Sequence, residues 1–346
     1  MSKGADFTKV GLKIRKGFYI FIKILFSRNS AAYNVLWLKF LQIVFIPVDF
    51  LFFLVEKIGL KTEDDKGIPI LFVVGIQRTG STLISQFIEK TFDFFPIGNL
   101  NSVFKQSKFY LHKWFSKLHK KPSISYKNYY GISKGFFSIG DCYELWDRWF
   151  GKNHYVLPNN FNDERLHNLI HYFSFLYKAY KKPLLTKNNR NSLLLPIFNK
   201  AFHNAFYVIV KRDPVAVIRS TIKASKDFFG KGDLLWGLYP NNDFDTKNYE
   251  NIVEAATVQF LLLDKLLNEQ IKKLADNSFL IVDYDEFCSN PQKFQKELTK
   301  KLENKKGYSI ENIQFMENPF KTSQRLNNLQ IDDQIKDYID KWESKI

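Results

Sequence analysis

The stretch 70-ILFVVGIQRTGSTLISQFIEK-90 determines the fold class of this chain. Its beginning belongs to a continuous apolar run, 68–75, in which β-branched and aromatic residues predominate. That pattern is typical of a central parallel strand buried on both faces. From Thr82 onward, apolar residues recur at helical spacing. The stretch therefore predicts a strand, a loop that contains two glycines, and a helix.

The loop of this unit has the spacing of a phosphate-binding P-loop. Backbone N–H groups between a strand end and a helix start attract anions, and Arg78 offers a planar fork for an oxyanion. The lysine that reaches the β- and γ-phosphates in an NTPase is absent, and Ser81 stands there instead. The loop therefore favours a 5′ group with less charge than a triphosphate. We expect it to be held by Gly75, Arg78, Thr79, Gly80, Ser81 and Thr82.

A second strand–loop–helix unit is predicted within 205-AFYVIVKRDPVAVIRSTIKAS-225. Its strand is 206–210, after which Asp213 suits a helix N-cap and Pro214 the first helical position. Arg212 stands at the strand end, where α/β sheets bind ligands, and Ser220 lies two turns into the helix. On adjacent strands, Arg212 and Ser220 would bind a second phosphate. Alone, however, Arg-Asp-Pro indicates only the start of a helix.

The remaining pattern alternates strands with helices. Further strands are predicted at 183–189 and near the start of 278–302, and 249–275 is typical of a long helix. This alternation predicts an α/β fold with a doubly wound parallel sheet flanked by helices. The polar segment 61–67 separates a basic, hydrophobic helical segment, 1–66, from the main domain, 67–346.

Taken together, the two loops resemble those of sulfotransferases that use 3′-phosphoadenosine 5′-phosphosulfate (PAPS). The segment 77-QRTGST-82 is similar to the family's PRSGTT loop, which holds the 5′-phosphosulfate. The segment 212-RDPVAVIRS-220 is similar to the one that holds the 3′-phosphate, and 284-YDEFCSNP-291 looks like a later family segment. The resemblance covers 68–302, and the arginine in the first loop is nearer to the Golgi-type and bacterial branches.

This resemblance implies a P-loop NTPase-like sulfotransferase fold with PAPS as the sulfuryl donor and no metal. The nucleotide product would be 3′-phosphoadenosine 5′-phosphate (PAP). Arg78 and the loop amides would stabilise charge on the bridging oxygen and on the sulfonate. Arg212 and Ser220 would fix the 3′-phosphate and thereby distinguish PAPS from ATP. The acceptor would be a hydroxyl group of a glycan, a lipid or another small molecule.

The sequence offers three candidates for the catalytic base. The family uses Glu or His, and many branches place a Glu shortly after the first loop, but 91–106 contains neither residue. The segment 140-GDCYELWDRWFGKNH-154 supplies the candidates, with Glu144 first, then Asp141 and His154. A Glu buried beside aromatic residues would have a raised pKa, which suits a general base.

Two further groups of cations are candidates on the donor side. Lys187 ends a predicted strand and resembles the family's lysine near the leaving group, so we count it with Arg78 and Glu144 as catalytic. Lys321 and Arg325, in 318-NPFKTSQRL-326, would close over the cofactor from a C-terminal loop. Each has the plainer interpretation of a solvated surface charge.

The N-terminal segment and the charge of the chain suggest anionic partners. The net charge is +16, from 51 Lys and Arg against 35 Asp and Glu. It favours a phosphorylated cofactor, an anionic membrane surface or nucleic acid, or it reflects composition alone. The apolar centre at 40–55 is shorter than the about 20 residues of a spanning helix, and Asp49 interrupts it. Helices in the membrane interface, helices packed on the main domain and a membrane span remain as alternatives.

The cysteine content favours a reducing cytoplasm, and the N-terminal segment adds the expectation of peripheral association at the inner face of the membrane. Cys142 and Cys288 are the two cysteines, and neither belongs to a C-x-x-C pair, which argues against zinc.

Two rival functions are a P-loop kinase-like phosphotransferase and a non-catalytic protein that binds membranes or nucleic acid. The missing lysine argues against the first, and the two loops argue against the second.

Overall fold

A computed structural model describes residues 21–22, 24–61, 65–118, 126–151, 161–230, 234–308, 320 and 329–346. The strands are β1 Ile70–Val74, β2 Phe95–Ile97, β3 Asn128–Tyr129, β4 Ile132–Ser133, β5 Leu184–Lys187, β6 Ala205–Lys211 and β7 Phe279–Asp283. The α-helices are α1 Ser30–Val44, α2 Ile46–Gly59, α3 Ser81–Thr91, α4 Asn99–Val103, α5 Tyr110–Leu118, α6 Tyr143–Phe150, α7 Asp163–Tyr180, α8 Leu195–Ala201, α9 Pro214–Phe229, α10 Ile252–Ile271, α11 Tyr284–Ser289, α12 Pro291–Glu303 and α13 Leu329–Glu343.

The main sheet has five strands in the order β2–β5–β1–β6–β7, and every pairing in it is parallel. The α/β sheet flanked by helices that the sequence predicts is therefore confirmed. β1 lies in the centre, between β5 and β6. Because parallel strands end at the same edge of a sheet, the loops that follow β1 and β6 are neighbours. β3 and β4 form a separate antiparallel hairpin.

Both faces of the sheet are buried, which explains the unbroken apolar run of β1. Leu71 and Val73 pack on one side, in a core that includes Phe87 of α3 and Leu298 of α12. Phe72 belongs to the other core, with residues of α7, α8 and α10. Side chains alternate across a strand, so β1 contributes to both cores in turn.

The N-terminal helices α1 and α2 meet at a bend of 55°. Leu38 of α1 is buried in the main core, and Phe45 and Val48 pack against it. No single helix in the described ranges is long and apolar enough to cross a membrane, although α1 and α2 taken together satisfy the same length and hydropathy test.

Candidate active site

The loops after β1 and β6 contact each other through the arginines that the sequence singled out. Arg78 Nε donates a hydrogen bond to Ser220 Oγ at 2.9 Å. A guanidinium nitrogen of Arg212 donates to the carbonyl oxygen of Arg78 at 3.2 Å. Asp213 caps α9 as predicted, because its carboxylate accepts the N–H of Ala216 at 3.1 Å. The two predicted phosphate loops therefore form one continuous site.

The backbone of the first loop has an unusual conformation. Arg78 has a φ of 69°, in the left-handed region that non-glycine residues seldom adopt, and Gly80 has a φ of 97°. The carbonyl oxygen of Gly80 accepts the N–H groups of Leu83 and Ile84, the first such bonds of α3. The N–H groups of Ser81 and Thr82 precede that ladder, as at any helix start, and both residues line the cavity described next.

A polar cavity of about 180 Å³ lies where the two loops meet. Three cations and one acid line it, namely Arg78, Lys187, Arg212 and Asp141. Its other lining residues are Gly80, Ser81, Thr82, Leu83, Asn128, Gly131, Asn189, Trp236 and Tyr284. Arg212 Nε is buried and has no hydrogen-bond partner among the residues described. A buried donor of this kind needs an acceptor, and an anionic ligand in the cavity would supply one.

Aromatic rings hold the two guanidinium groups in place. Arg78 lies 5.3 Å from the ring centre of Tyr130 and 5.6 Å from that of Trp236. Arg212 lies 4.4 Å from the ring centre of Tyr284. Burial lowers the pKa of the Arg78 guanidinium. Stacked, desolvated arginines interact more strongly with an oxyanion than solvated ones do.

Lys187 and Asp141 form a buried ion pair on the other wall of the cavity. Lys187 Nζ donates to Asp141 Oδ1 at 2.7 Å, and the side chains are 1% and 3% exposed. The side-chain amide of Asn188 donates to the carbonyl oxygen of Asp141 at 2.5 Å. Burial raises the pKa of Asp141, while the charge and the hydrogen bond of Lys187 oppose that rise. The pair thus places a carboxylate beside a cation inside the cavity.

Glu144, our first choice of base, lies elsewhere. It is in the first turn of α6 and forms an ion pair with Lys39 of α1. It does not line the cavity. Burial alone would raise the pKa of Glu144, but the charge and hydrogen bond of Lys39 hold it below its ordinary value. The expectation of a raised pKa for Glu144 is therefore wrong, because a cation from the N-terminal helices compensates the charge of its carboxylate.

Other predicted residues have varied positions. The N–H of Gly75 donates to Ser192 Oγ at 2.8 Å, and the Thr79 hydroxyl donates to the carbonyl oxygen of Ile76 at 2.8 Å. These two residues shape the loop and do not line the cavity. His154, Lys321 and Arg325 lie outside the described residues.

Sequence reasoning assigned no role to the aromatic residues that contact Arg78 and Arg212, namely Tyr130, Trp236 and Tyr284. Tyr284 follows β7, which is next to β6. Its position at a strand end and its place in the family-like segment 284–291 were the signals that pointed to it. Tyr130 and Trp236 lie in segments without a clear periodic pattern, so nothing local predicted their contact with Arg78. Within the described ranges no group of three His, Cys, Asp or Glu side chains could hold a metal ion.

Comparison with known proteins assigns the chain to a family. The model of a sulfotransferase family matches residues 69–305, more than half of the chain. Sulfotransferase STF1 from Mycobacterium tuberculosis is 13% identical, with a TM-score of 0.49, over 79% of this chain and 76% of that one. The sulfotransferase domain of the Synechococcus PCC 7002 olefin synthase is 14% identical, with a TM-score of 0.39, over 71% and 77%. No curated protein sequence matches.

Proposed function

Because this chain belongs to the sulfotransferase family, we propose that it transfers a sulfuryl group from PAPS to a hydroxyl acceptor. The hydrogen bond from Arg78 to Ser220 is the observation that carries the proposal. It joins a loop suited to a 5′-phosphosulfate to a loop suited to a 3′-phosphate. A sulfuryl donor with phosphate groups at both the 5′ and the 3′ positions would engage both segments, whereas ATP has no 3′-phosphate.

The 3′-phosphate would bind Arg212 and Ser220. The unpartnered Nε of Arg212 supplies a charge-assisted donor, and the ring of Tyr284 keeps the guanidinium plane fixed. The 5′-phosphosulfate would bind Arg78 and the first-turn N–H groups of α3 at Ser81 and Thr82. The proposal assigns no metal ion to these residues.

In the reaction, the acceptor oxygen attacks sulfur and forms a new S–O bond. The S–O bond to the 5′-phosphate breaks, and PAP leaves with its electron pair. Lys187 and Arg78 would stabilise the charge on the leaving oxygen, because both line the cavity. The acceptor's proton must go to a base.

We propose Asp141 as that base, in place of Glu144. Asp141 lies in the cavity, whereas Glu144 is paired with Lys39. Burial and Lys187 act in opposite directions on the pKa of Asp141. When Lys187 turns toward the leaving oxygen, the carboxylate loses its compensating hydrogen bond and its proton affinity increases. The ion pair would thus couple departure of PAP to removal of the acceptor's proton.

The test is isothermal titration calorimetry with PAP against ADP. We expect the wild type to prefer PAP and Arg212→Ala to lose that preference, while Arg78→Ala weakens both ligands. Lys223→Ala, which removes an exposed cation from the same helix as Ser220, is the matched control. Equal affinity of the wild type for PAP and ADP would refute the assignment of the 3′-phosphate site.

A further inference from the structure

The two acids of α2 face into the protein. Asp49 accepts the backbone N–H groups of Gln106 and Ser107 at 2.9–3.2 Å. Glu56 accepts the N–H groups of residues 108–110 at 2.7–2.8 Å. Both residues are at most 2% exposed. These carboxylates satisfy N–H groups of residues 106–109, which precede α5, and of Tyr110, its first residue. They thereby fix the rotation of α2 about its axis.

The side of α1 and α2 that this rotation leaves outside is apolar. We call it the α1–α2 face, and its residues include Trp37, Phe40, Ile43, Leu51 and Ile58. Ile43 is 69% and Ile58 is 89% exposed, and the rings of Trp37 and Phe40 stack at 5.5 Å. Contiguous apolar surface of this kind is rare on soluble monomers and marks an interaction site.

The exposed charges of α1, α2 and their flanks within 24–61 are complementary to an anionic surface. Asp49 and Glu56 are the acids of 24–61, and both are buried. Every exposed charge of that range is therefore a cation, as at Arg28, Lys57 and Lys61. An apolar face bordered by lysine and arginine is the pattern of helices that lie in the interface of an anionic membrane.

Beside this face, an apolar groove of about 560 Å³ lies between α2 and α5. Phe45, Val48 and Phe52 form one side, and Leu111 and Trp114 belong to the other. All its lining residues are aliphatic or aromatic. The volume is in the range of roughly 300–1,000 Å³ that small-molecule pockets have. A polar head group would lose its hydrogen bonds there, so the groove suits a hydrocarbon chain.

One segment connects the groove with the reaction cavity. Phe136 lines the groove, whereas Gly131 and Asp141, on either side of it in sequence, line the cavity. Asn34 of α1 donates to the carbonyl oxygen of Ser133 in the same segment at 3.2 Å. The N-terminal helices thus contact the segment that also contributes Gly131 and Asp141 to the cavity.

From this arrangement we infer that the α1–α2 face lies on an anionic membrane and that the groove takes a hydrocarbon chain of a membrane lipid. The acceptor is then a hydroxyl group carried by such a lipid, an assignment that rests on the proposed function. The membrane contact and the chain site do not depend on it, because they follow from the face and the groove alone.

The membrane contact is tested by flotation of the full chain with vesicles of phosphatidylcholine and phosphatidylglycerol. We expect the wild type to float, and Ile43→Ser with Ile58→Ser to remain in the soluble fraction. Ile281→Ser, which changes an exposed apolar residue of β7, should float like the wild type. Equal flotation of the double variant, or none by the wild type, would overturn the membrane contact.

The groove is tested with the fluorescent fatty acid cis-parinaric acid. We expect saturable binding by the wild type, at least tenfold weaker binding by Val48→Trp, and wild-type binding by Ile281→Trp. Thermal midpoints and PAP affinity should be unchanged, which would show that both variants fold. Unchanged affinity of a folded Val48→Trp variant would overturn the chain site.

The acceptor class is tested with radiolabelled PAPS and vesicles that also contain a monoglycosyl diacylglycerol. Label should enter the chloroform-soluble fraction, and Val48→Trp should reduce that incorporation at least fivefold. Transfer to water-soluble acceptors alone, or no transfer by a chain that binds PAP normally, would overturn the lipid acceptor. If the chain shows no preference for PAP, the proposed function fails instead, and flotation and fatty-acid binding are unaffected.

Discussion

Gly80 lies directly against the ring of Tyr284. A β-carbon built on Gly80 would be 2.1 Å from Cδ2 of that ring, far inside van der Waals contact. The same ring stacks on the guanidinium group of Arg212. Tyr284 begins α11, directly after β7, so one ring contacts both the first loop and Arg212. The two candidate phosphate sites therefore share one aromatic wall.

We expect Gly80→Ala to damage PAP binding more than its backbone strain alone would. A positive φ costs a non-glycine residue about 1–3 kcal/mol, and the clash with Tyr284 adds to that cost. Calorimetry should show PAP affinity at least about tenfold lower, which corresponds to about 1.4 kcal/mol.

The control for this variant is Gly230→Ala. Gly230 also has a positive φ, 71°, but nothing in the described part of the chain lies within 4 Å of its added β-carbon. It should lose stability without losing PAP affinity. If both variants reduce the affinity equally, the contact between Gly80 and Tyr284 has no specific role in the site.

Loss of the hydrogen bond from Arg78 to Ser220 should lower the affinity for PAP and have little effect on the stability of the fold. Ser220→Ala removes the acceptor of Arg78 Nε and, on our proposal, one ligand of the 3′-phosphate. Hydrogen bonds to charged groups contribute about 1.5–3 kcal/mol, so PAP affinity should fall roughly tenfold or more. ADP affinity should fall less.

Calorimetry on Ser220→Ala and on Ser116→Ala makes this comparison. The Ser116 hydroxyl, in α5, donates to the carbonyl oxygen of Lys113 in its own helix at 2.8 Å, and Ser116 does not line the cavity. Its replacement should leave both affinities unchanged. A Ser220→Ala protein that binds PAP like the wild type would show that the serine does not contact the 3′-phosphate.

The two carboxylates three positions apart, Asp141 and Glu144, should behave differently. Asp141→Asn keeps the shape of a side chain that lies in the cavity, but it removes the proposed base. Loss of a general base costs roughly a hundred- to ten-thousandfold in rate, so kcat should fall by that much while PAP affinity stays close to the wild type.

Glu144→Gln is the matched control for Asp141→Asn, because it changes one acid to its amide outside the cavity. It breaks the ion pair with Lys39 and should leave kcat within a few-fold of the wild type. Steady-state kinetics with radiolabelled PAPS distinguishes the two carboxylates. A large loss of kcat in Glu144→Gln and none in Asp141→Asn would restore the interpretation made from the sequence.

Sequence reasoning succeeded where the chemistry is local. The first loop and the segment that contains Arg212 are short motifs, and the strand pattern before each one was enough to predict the sheet. Arg78 and Arg212 each follow a strand, the position at which parallel sheets bind ligands, and the structure shows that these strands, β1 and β6, are neighbours. In those segments, backbone propensity and apolar pattern agree with the fold.

It failed where long-range contacts decide a role. Asp141 and Glu144 are both acids in one short segment, and only their ion-pair partners distinguish them. These partners are distant in sequence: Lys187 is 46 residues from Asp141, and Lys39 is 105 residues from Glu144. Asp49 illustrates the same limit, since in the sequence it merely interrupts an apolar run. Its bonds to the N–H groups before α5 show why an acid occurs there.

Glu89 provides a prediction about stability and pH. This residue of α3 is buried, and burial raises the pKa of its carboxyl group to about 8. The hydrogen bond that it accepts from the N–H of Ile139 is long, at 3.3 Å, and lowers the pKa only in part. Between the unfolded pKa near 4.5 and about 8, the folded state binds the proton and the unfolded state does not. Stability contributed by the protonated group is therefore complete below pH 4.5 and is lost as pH rises toward 8.

Glu89→Gln should remove this pH dependence. Each pH unit in that window costs the wild type up to about 1.4 kcal/mol of unfolding free energy, and an amide does not titrate. Urea unfolding at several pH values between 5 and 8 should show a flatter profile for Glu89→Gln than for the wild type. Glu303→Gln, an exposed acid at the end of α12, should keep the wild-type slope. Because Glu89 does not line the cavity, PAP affinity should stay constant in both variants. Parallel plots of unfolding free energy against pH for all three proteins would show that Glu89 is ionised in the folded state.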